Sequence, residues 1–147
     1  MKTIRLIMKQ KGKEIWSINP DMKIFDALKI MAEKDIGALP VLDGKTLVGI
    51  FSERDYARKV ILKGKASKNT PVREIMSTHL ITISPNQTND QGLALMTEKH
   101  IRHLPVLDDK KFVGFISIGD LVKSIIDEQK QVIDKLEQHI LETSGLN

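Results

Sequence analysis

Between residues 20 and 35 the apolar positions Ile24, Leu28, Met31 and Ala32 recur at intervals of three and four, the spacing of one buried helical face. Two short apolar runs follow, ALPVL and TLVGIF, divided by Asp43 and Gly44. That pattern predicts two strands joined by a type I′ hairpin. Ahead of the helix, residues 16–18 read as a short extended piece ending at Asn19-Pro20, because the residue before a proline is pushed out of the α region. Behind the hairpin, Ser52 and Asp55 form a Ser-x-x-Asp helix start, predicting a helix over about 53–63. The local order is β-α-β-β-α.

The same order returns 65 residues later. Sliding residues 16–60 onto 81–125 without a gap gives 17 identities in 45 positions, among them Pro20 with Pro85, Met31 with Met96, LPVLD with LPVLD, and Ser52 and Asp55 with Ser117 and Asp120. The chain is a tandem duplication, and a repeat of this size is one supersecondary unit. In the second copy Leu93, Met96 and Ile101 keep the helical pattern, while Asn89, Asp90 and Gly92 weaken it, so that helix is expected to be the looser. Asp108-Asp109 replaces the Asp-Gly turn. From about residue 118 a helix is expected to run to about 142, with Val122, Ile125, Gln129, Val132, Leu136 and Ile140 near helical spacing. It reads as a packing or subunit-contact helix.

The expected fold class is therefore α/β of the α+β kind: two tandem β-α-β-β-α repeats packed with pseudo-twofold symmetry, plus an extended C-terminal helix. The expected divisions are an N-terminal segment over 1–14, repeat 1 over 15–64, a linker over 65–79, repeat 2 over 80–126, and a C-terminal helix and tail over 127–147.

Composition changes this picture by exclusion. Apolar content of 41% with 29% charged residues is that of a soluble globular chain, and the longest apolar runs are far below the ~20 residues of a membrane span. The first residues show no continuous apolar signal region, so the expected location is cytoplasmic. With no cysteine, disulfides, thiol nucleophiles and thiolate metal sites are excluded. The four histidines, at 79, 100, 103 and 139, lack metal-ligand spacing, and no nucleophile–base set or phosphate-binding Gly-Lys-Ser loop is present. The chain is expected not to be an enzyme and to use no catalytic cofactor. Net charge is +4, and the segment 58–73 gathers Arg58, Lys59, Lys63, Lys65, Lys68 and Arg73 without an acid. Such a stretch is a solvated face or a polyanion contact.

The chemistry-bearing motifs are the twin corners, GIFSERD at 49–55 and GFISIGD at 114–120. As capping boxes they need no ligand. As helix starts they also present free amides to a phosphate, with a carboxylate that can accept from ribose hydroxyls.

With the LPVLD strands and the preceding proline-ended pieces, these corners resemble a tandem pair of CBS domains, the adenosyl-nucleotide-sensing modules named after cystathionine β-synthase. The resemblance covers about residues 15–126, and EIWSI, PVREIM and MTEKHIRHLPVLDD narrow it to stand-alone bacterial pair proteins. It implies that Asp55 and Asp120 bind ribose hydroxyls and that Ser52 and Ser117 sit near phosphate or ribose. It places Ile36, Gly37 and Ala38, and Ile101, Arg102 and His103, around adenine, with polar contacts from Ser17 and Thr82. Arg54 is a phosphate candidate whose counterpart is Gly119, so the Arg54 corner is expected to be the stronger site. The function so implied is a regulatory module binding AMP, ATP or NAD in the cleft between its repeats, as a homodimer, with an unidentified downstream protein partner. Two alternatives stand beside it: nucleic-acid binding through 58–73, and a ligand-free dimerisation unit whose corners are only caps.

Overall fold

The computed structural model describes residues 1–12 and 14–145. Lys13, in the expected N-terminal segment, and Leu146 and Asn147, in the expected tail, lie outside the described residues. In chain order the elements are α1 (Ile4–Lys11), α2 (Ile24–Lys34), β1 (Ala38–Asp43), β2 (Thr46–Ser52), α3 (Glu53–Asp55), α4 (Asn89–Lys99), β3 (His103–Asp108), β4 (Lys111–Ser117) and α5 (Ile118–Ser144). β1 pairs with β2, and β3 with β4, in two separate two-stranded sheets. By internal contacts the chain forms two compact units. One comprises Met1–Lys13, Ile83–Leu104 and Ile116–Asn147, the other Glu14–Thr82 and Pro105–Phe115. Among the described residues no helix is long and apolar enough to cross a membrane.

In the unit built on residues 14–82, α2 buries Ile24, Ala27 and Met31 against Leu39, Val41 and Phe51 of the hairpin. Val60, Val72 and Ile75 complete this core, so the segment after the first repeat contributes to it instead of bridging over solvent. The extended piece before Pro20 shrinks to one bridge: Ile18 donates to the Pro40 carbonyl at 3.1 Å and accepts from Leu42 at 2.8 Å. Pro20, lacking an N–H, stops a longer ladder from forming. The helix expected over 53–63 is a single α-turn that widens into a π-helical stretch, Tyr56–Ile61. The hairpin register pairs Asp43 with Thr46, so the turn is Gly44-Lys45, and only Gly44 has positive φ, at 63°. That is the II′ pattern, not I′; in the second copy Asp109 and Lys110, at 50° and 68°, take the I′ signs.

In the other unit, α4 is as long as α2, at 11 residues, and is held by the residues that weaken its periodicity. Thr88 and Gln91 close a capping box at its start. Asn89 is fully buried, and its amide nitrogen donates to Ser124 Oγ at 3.0 Å and Glu128 Oε1 at 2.8 Å on α5. Gly92 lets α5 approach, since a Cβ there would stand 3.0 Å from Leu121 and 3.2 Å from Ile83. α1 joins this unit through backbone bonds from Ile4 to Gln87 and from Arg5 to Pro85.

Candidate functional site

Each corner sits where a strand ends and a helix begins, and both are shaped by the same two devices. The helix preceding each hairpin ends on a left-handed residue, Asp35 (φ 52°) or His100 (φ 55°), which turns the chain sharply into the strand. The first helical residue after each serine then donates back to the segment entering the hairpin: Glu53 to the Gly37 carbonyl at 3.1 Å, and Ile118 to the Arg102 carbonyl at 2.9 Å. These bonds bring Ile36, Gly37 and Ala38 beside Ser52 and Asp55. In the other unit they bring Ile101, Arg102 and His103 beside Ser117 and Asp120.

Both serines are N-caps with complete capping boxes. Asp55 N–H donates to Ser52 Oγ and Asp120 N–H to Ser117 Oγ, each at 3.1 Å. The carboxylates differ beyond that. Asp55 is buried, 6% exposed, and both of its oxygens are filled from within the chain. Oδ2 accepts from Ser52 N–H at 3.0 Å and from the Ser52 hydroxyl at 3.1 Å. Oδ1 accepts from the Ser77 hydroxyl and forms an ion pair with Lys59 Nζ, both at 3.0 Å. Ser77 is itself fixed by a two-way bridge to Ile50, with bonds of 2.8 and 3.0 Å. Gly49 makes room for that bridge, because a Cβ there would fall 2.6 Å from Met76 Sδ and 3.1 Å from the Ser77 carbonyl.

Asp120 is partly open to solvent. Both of its bonds fall on Oδ2, from Ser117 N–H at 2.9 Å and from Lys11 Nζ at 2.8 Å. Burial pushes the Asp120 carboxyl up, but the Lys11 and Ser117 hydrogen bonds and the Lys11 charge outweigh it and hold the group below the usual carboxylate range. His103 is lowered to about 4, first by burial and then by the charge of Lys11, with Asp120 opposing and Arg102 assisting. It is a neutral imidazole near pH 7. Beside Asp120 a groove of about 590 Å³ opens between α1 and the start of α5, lined by Lys2, Lys11, Asp120, Lys123 and Asp127 among others.

Arg54 and Arg102 are exposed at their corners. Ser17 and Thr82 take no part in the corner hydrogen bonds and precede the bridge residues Ile18 and Ile83 in the chain. Trp16 is half-exposed with Lys34 Nζ 4.0 Å from its ring centre. Sequence reasoning missed Lys11, Lys59 and Ser77 as corner residues. Only Lys59 carried a signal, four residues after Asp55 on one helical face; Lys11 and Ser77 arrive by tertiary folding. In the basic segment, Lys59 pairs with Asp55, Arg73 with Asp21, and Lys68 lies 5.3 Å from the Phe25 ring centre. Half of its named charges are therefore engaged within the chain. Among the described residues no cluster of three His, Asp or Glu could hold a metal.

The family model for the CBS domain matches twice, over residues 7–62 and 72–127. A mitochondrial CBS domain-containing protein of Arabidopsis thaliana, CBSX3, is 38% identical over 94% of this chain and 71% of its own length. A solved protein with CBS domains from Burkholderia ambifaria MC40-6 is 50% identical with a TM-score of 0.82, covering 87% of this chain and 96% of that one. The CBS domain pair of protein MJ0100, solved with 5′-methylthioadenosine and S-adenosyl-L-methionine, is 26% identical with a TM-score of 0.74, over 84% of this chain and 99% of that one.

Proposed function

The chain belongs to the CBS-domain family, with two copies in tandem, and from that premise we propose that it is a regulatory module binding a phosphate-bearing adenosine compound, AMP, ATP or NAD, at the Asp120 corner. One observation carries the choice of corner. Asp55 spends both carboxylate oxygens on Ser52, Ser77 and Lys59, whereas Asp120 takes both of its bonds on Oδ2 and keeps Oδ1 for a ribose hydroxyl. Ribose O–H donates and the carboxylate accepts, a charge-assisted bond stronger than a neutral one. Lys11 keeps the acceptor ionised. The reading inverts the sequence expectation that favoured the Arg54 corner.

The neighbouring groove supports a ligand with phosphate. Its size falls in the range of small-molecule sites, and Lys2, Lys11, Lys123 and Lys130 outnumber Asp120 and Asp127 along it. Such a lining attracts a polyphosphate and opposes a sulfonium cation. The adenosine ligands of the MJ0100 pair support the nucleoside half of the reading. In this reading the module pairs with a second copy and passes occupancy on to a protein partner by shifting populations between two arrangements, without chemistry of its own.

The test is calorimetric titration of AMP, ATP, NAD, S-adenosylmethionine and GMP into wild type and Asp120→Asn. Adenosine phosphates are expected to bind wild type and to lose about 10-fold or more in the variant, the range for a hydrogen bond to a charged group. Unchanged affinity in Asp120→Asn removes the corner from the site, and no binding by any adenosine compound returns the corners to helix caps.

A further inference from the structure

From Gln129 to Ser144 every residue of α5 is exposed, a helical extension of about 24 Å at ~1.5 Å per residue. Helices of that length are marginal in water unless an apolar face is covered. The face is there: Val132, Ile133, Leu136 and Ile140 are each more than half exposed, Ile140 at 61%. Its spacing decides what fits it. Val122, Ile126, Gln129, Ile133, Leu136 and Ile140 follow one another at alternate steps of four and three, a 3.5-residue period. That period describes a seam that winds around another helix with the same repeat.

We propose that this seam pairs with α5 of a second copy as a parallel, in-register two-stranded coiled coil. Among the described residues the other α-helices have 11 residues or fewer, so within the chain only α5 itself offers a matching partner. A membrane surface fits less well, because α5 carries three lysines against six acidic residues, opposite in sign to an interfacial helix.

Orientation follows from Gln129. Ile126, Ile133 and Ile140 occupy one class of seam position, and Val122, Gln129 and Leu136 the other. In an antiparallel pair the two classes face each other, which sets the Gln129 amide against an isoleucine in every register. A parallel pair in register sets Gln129 against Gln129, where the amides satisfy one another; a polar seam residue fixes register in this way. β-Branched residues throughout the first class also suit two parallel strands.

The inference rests on the pairing of two copies and gives that pairing a location. Because the chain has no cysteine, a single substitution reports cleanly. Ile140→Cys under mild oxidation is expected to give a covalent dimer, and the outward-facing Gln138→Cys is not; light scattering of wild type is expected to give twice the chain mass. A monomer mass overturns pairing and seam together. A dimer whose Ile140→Cys fails to cross-link overturns the parallel seam and leaves pairing standing. Co-flotation of α5-dependent protein with anionic phospholipid vesicles in place of dimerisation overturns it in favour of a membrane surface.

Discussion

Lys11 Nζ lies 2.8 Å from Asp120 Oδ2, joining the last turn of the first helix to the first turn of the last across 109 residues of sequence. This contact makes the second corner chemically different from the first. It holds a partly exposed carboxylate below the usual carboxylate range through one of its oxygens. Lys11→Met is expected to raise the Asp120 carboxyl toward its ordinary value and to weaken binding of adenosine phosphates. Carboxyl titration by NMR and calorimetry check the two effects, and a tighter nucleotide complex in the variant would show that Lys11 competes with the ligand.

Asp55 should behave in the opposite way. Asp55→Ala leaves the Ser77 hydroxyl, Lys59 Nζ and Ser52 N–H without their shared acceptor in a buried corner. A loss of about 2–3 kcal/mol is expected, the cost of stranding buried donors, seen as a lower urea midpoint with unchanged slope. Nucleotide affinity of the folded variant should match wild type. A stable Asp55→Ala protein that no longer binds would move the site to this corner.

The pH dependence has a definite sign. An unfolded histidine takes its proton near 6.5 and His103 in the fold only at about 4, so between those values the unfolded chain holds more protons. Stability from His103 is present above pH 6.5 and is lost as pH falls toward 4. Asp120, with a lowered folded pKa, loses its contribution in the same direction, over the lower carboxylate range. Thermal midpoints should therefore drop on acidification below about 6.5, with a shallower drop for His103→Gln between 6.5 and 4. Imidazole resonances of His103 that titrate near 6.5 would contradict the buried, Lys11-facing placement.

Asn89→Leu tests whether α4 owes its order to one buried amide. The variant improves helix propensity but removes the donor that Ser124 and Glu128 of α5 share, leaving them their bonds to the Leu121 carbonyl and from Lys2 N–H. A net loss of about 1–3 kcal/mol is expected in chemical denaturation. The Glu128 carboxyl should also rise: burial already pushes it up, and the Asn89 and Lys2 hydrogen bonds now hold it low. Greater stability than wild type would show that propensity, and not the Asn89 network, limits this helix.

Much of the fold was legible because the determining signals are local and occur twice. The apolar spacing of α2, the LPVLD strands and the Ser117 helix start each act within a few residues and became the expected elements, whereas the Ser52 start opens one α-turn before the π-helical stretch. The looseness expected of α4 failed for a particular reason. Asn89 and Gly92 lower propensity in an isolated helix, but here one supplies a buried amide to α5 and the other the space for Leu121 and Ile83. The first hairpin is II′ instead of the expected I′ because its register places the turn one residue along, on Gly44-Lys45.

By itself the sequence determined the duplication, the two corners, their capping serines and aspartates, and the long amphipathic last helix. These depend on residue identity at short, fixed separations, where backbone geometry leaves few choices. Only the tertiary structure decided what each aspartate does. Ser77 reaches Asp55 from 22 residues away and Lys11 reaches Asp120 from 109, and no local pattern encodes which distant side chain will meet a carboxylate. Two corners that are nearly identical as text thereby acquire different chemistry: one is closed by three internal hydrogen bonds and an ion pair, and the other is charged, partly open and faces a basic groove.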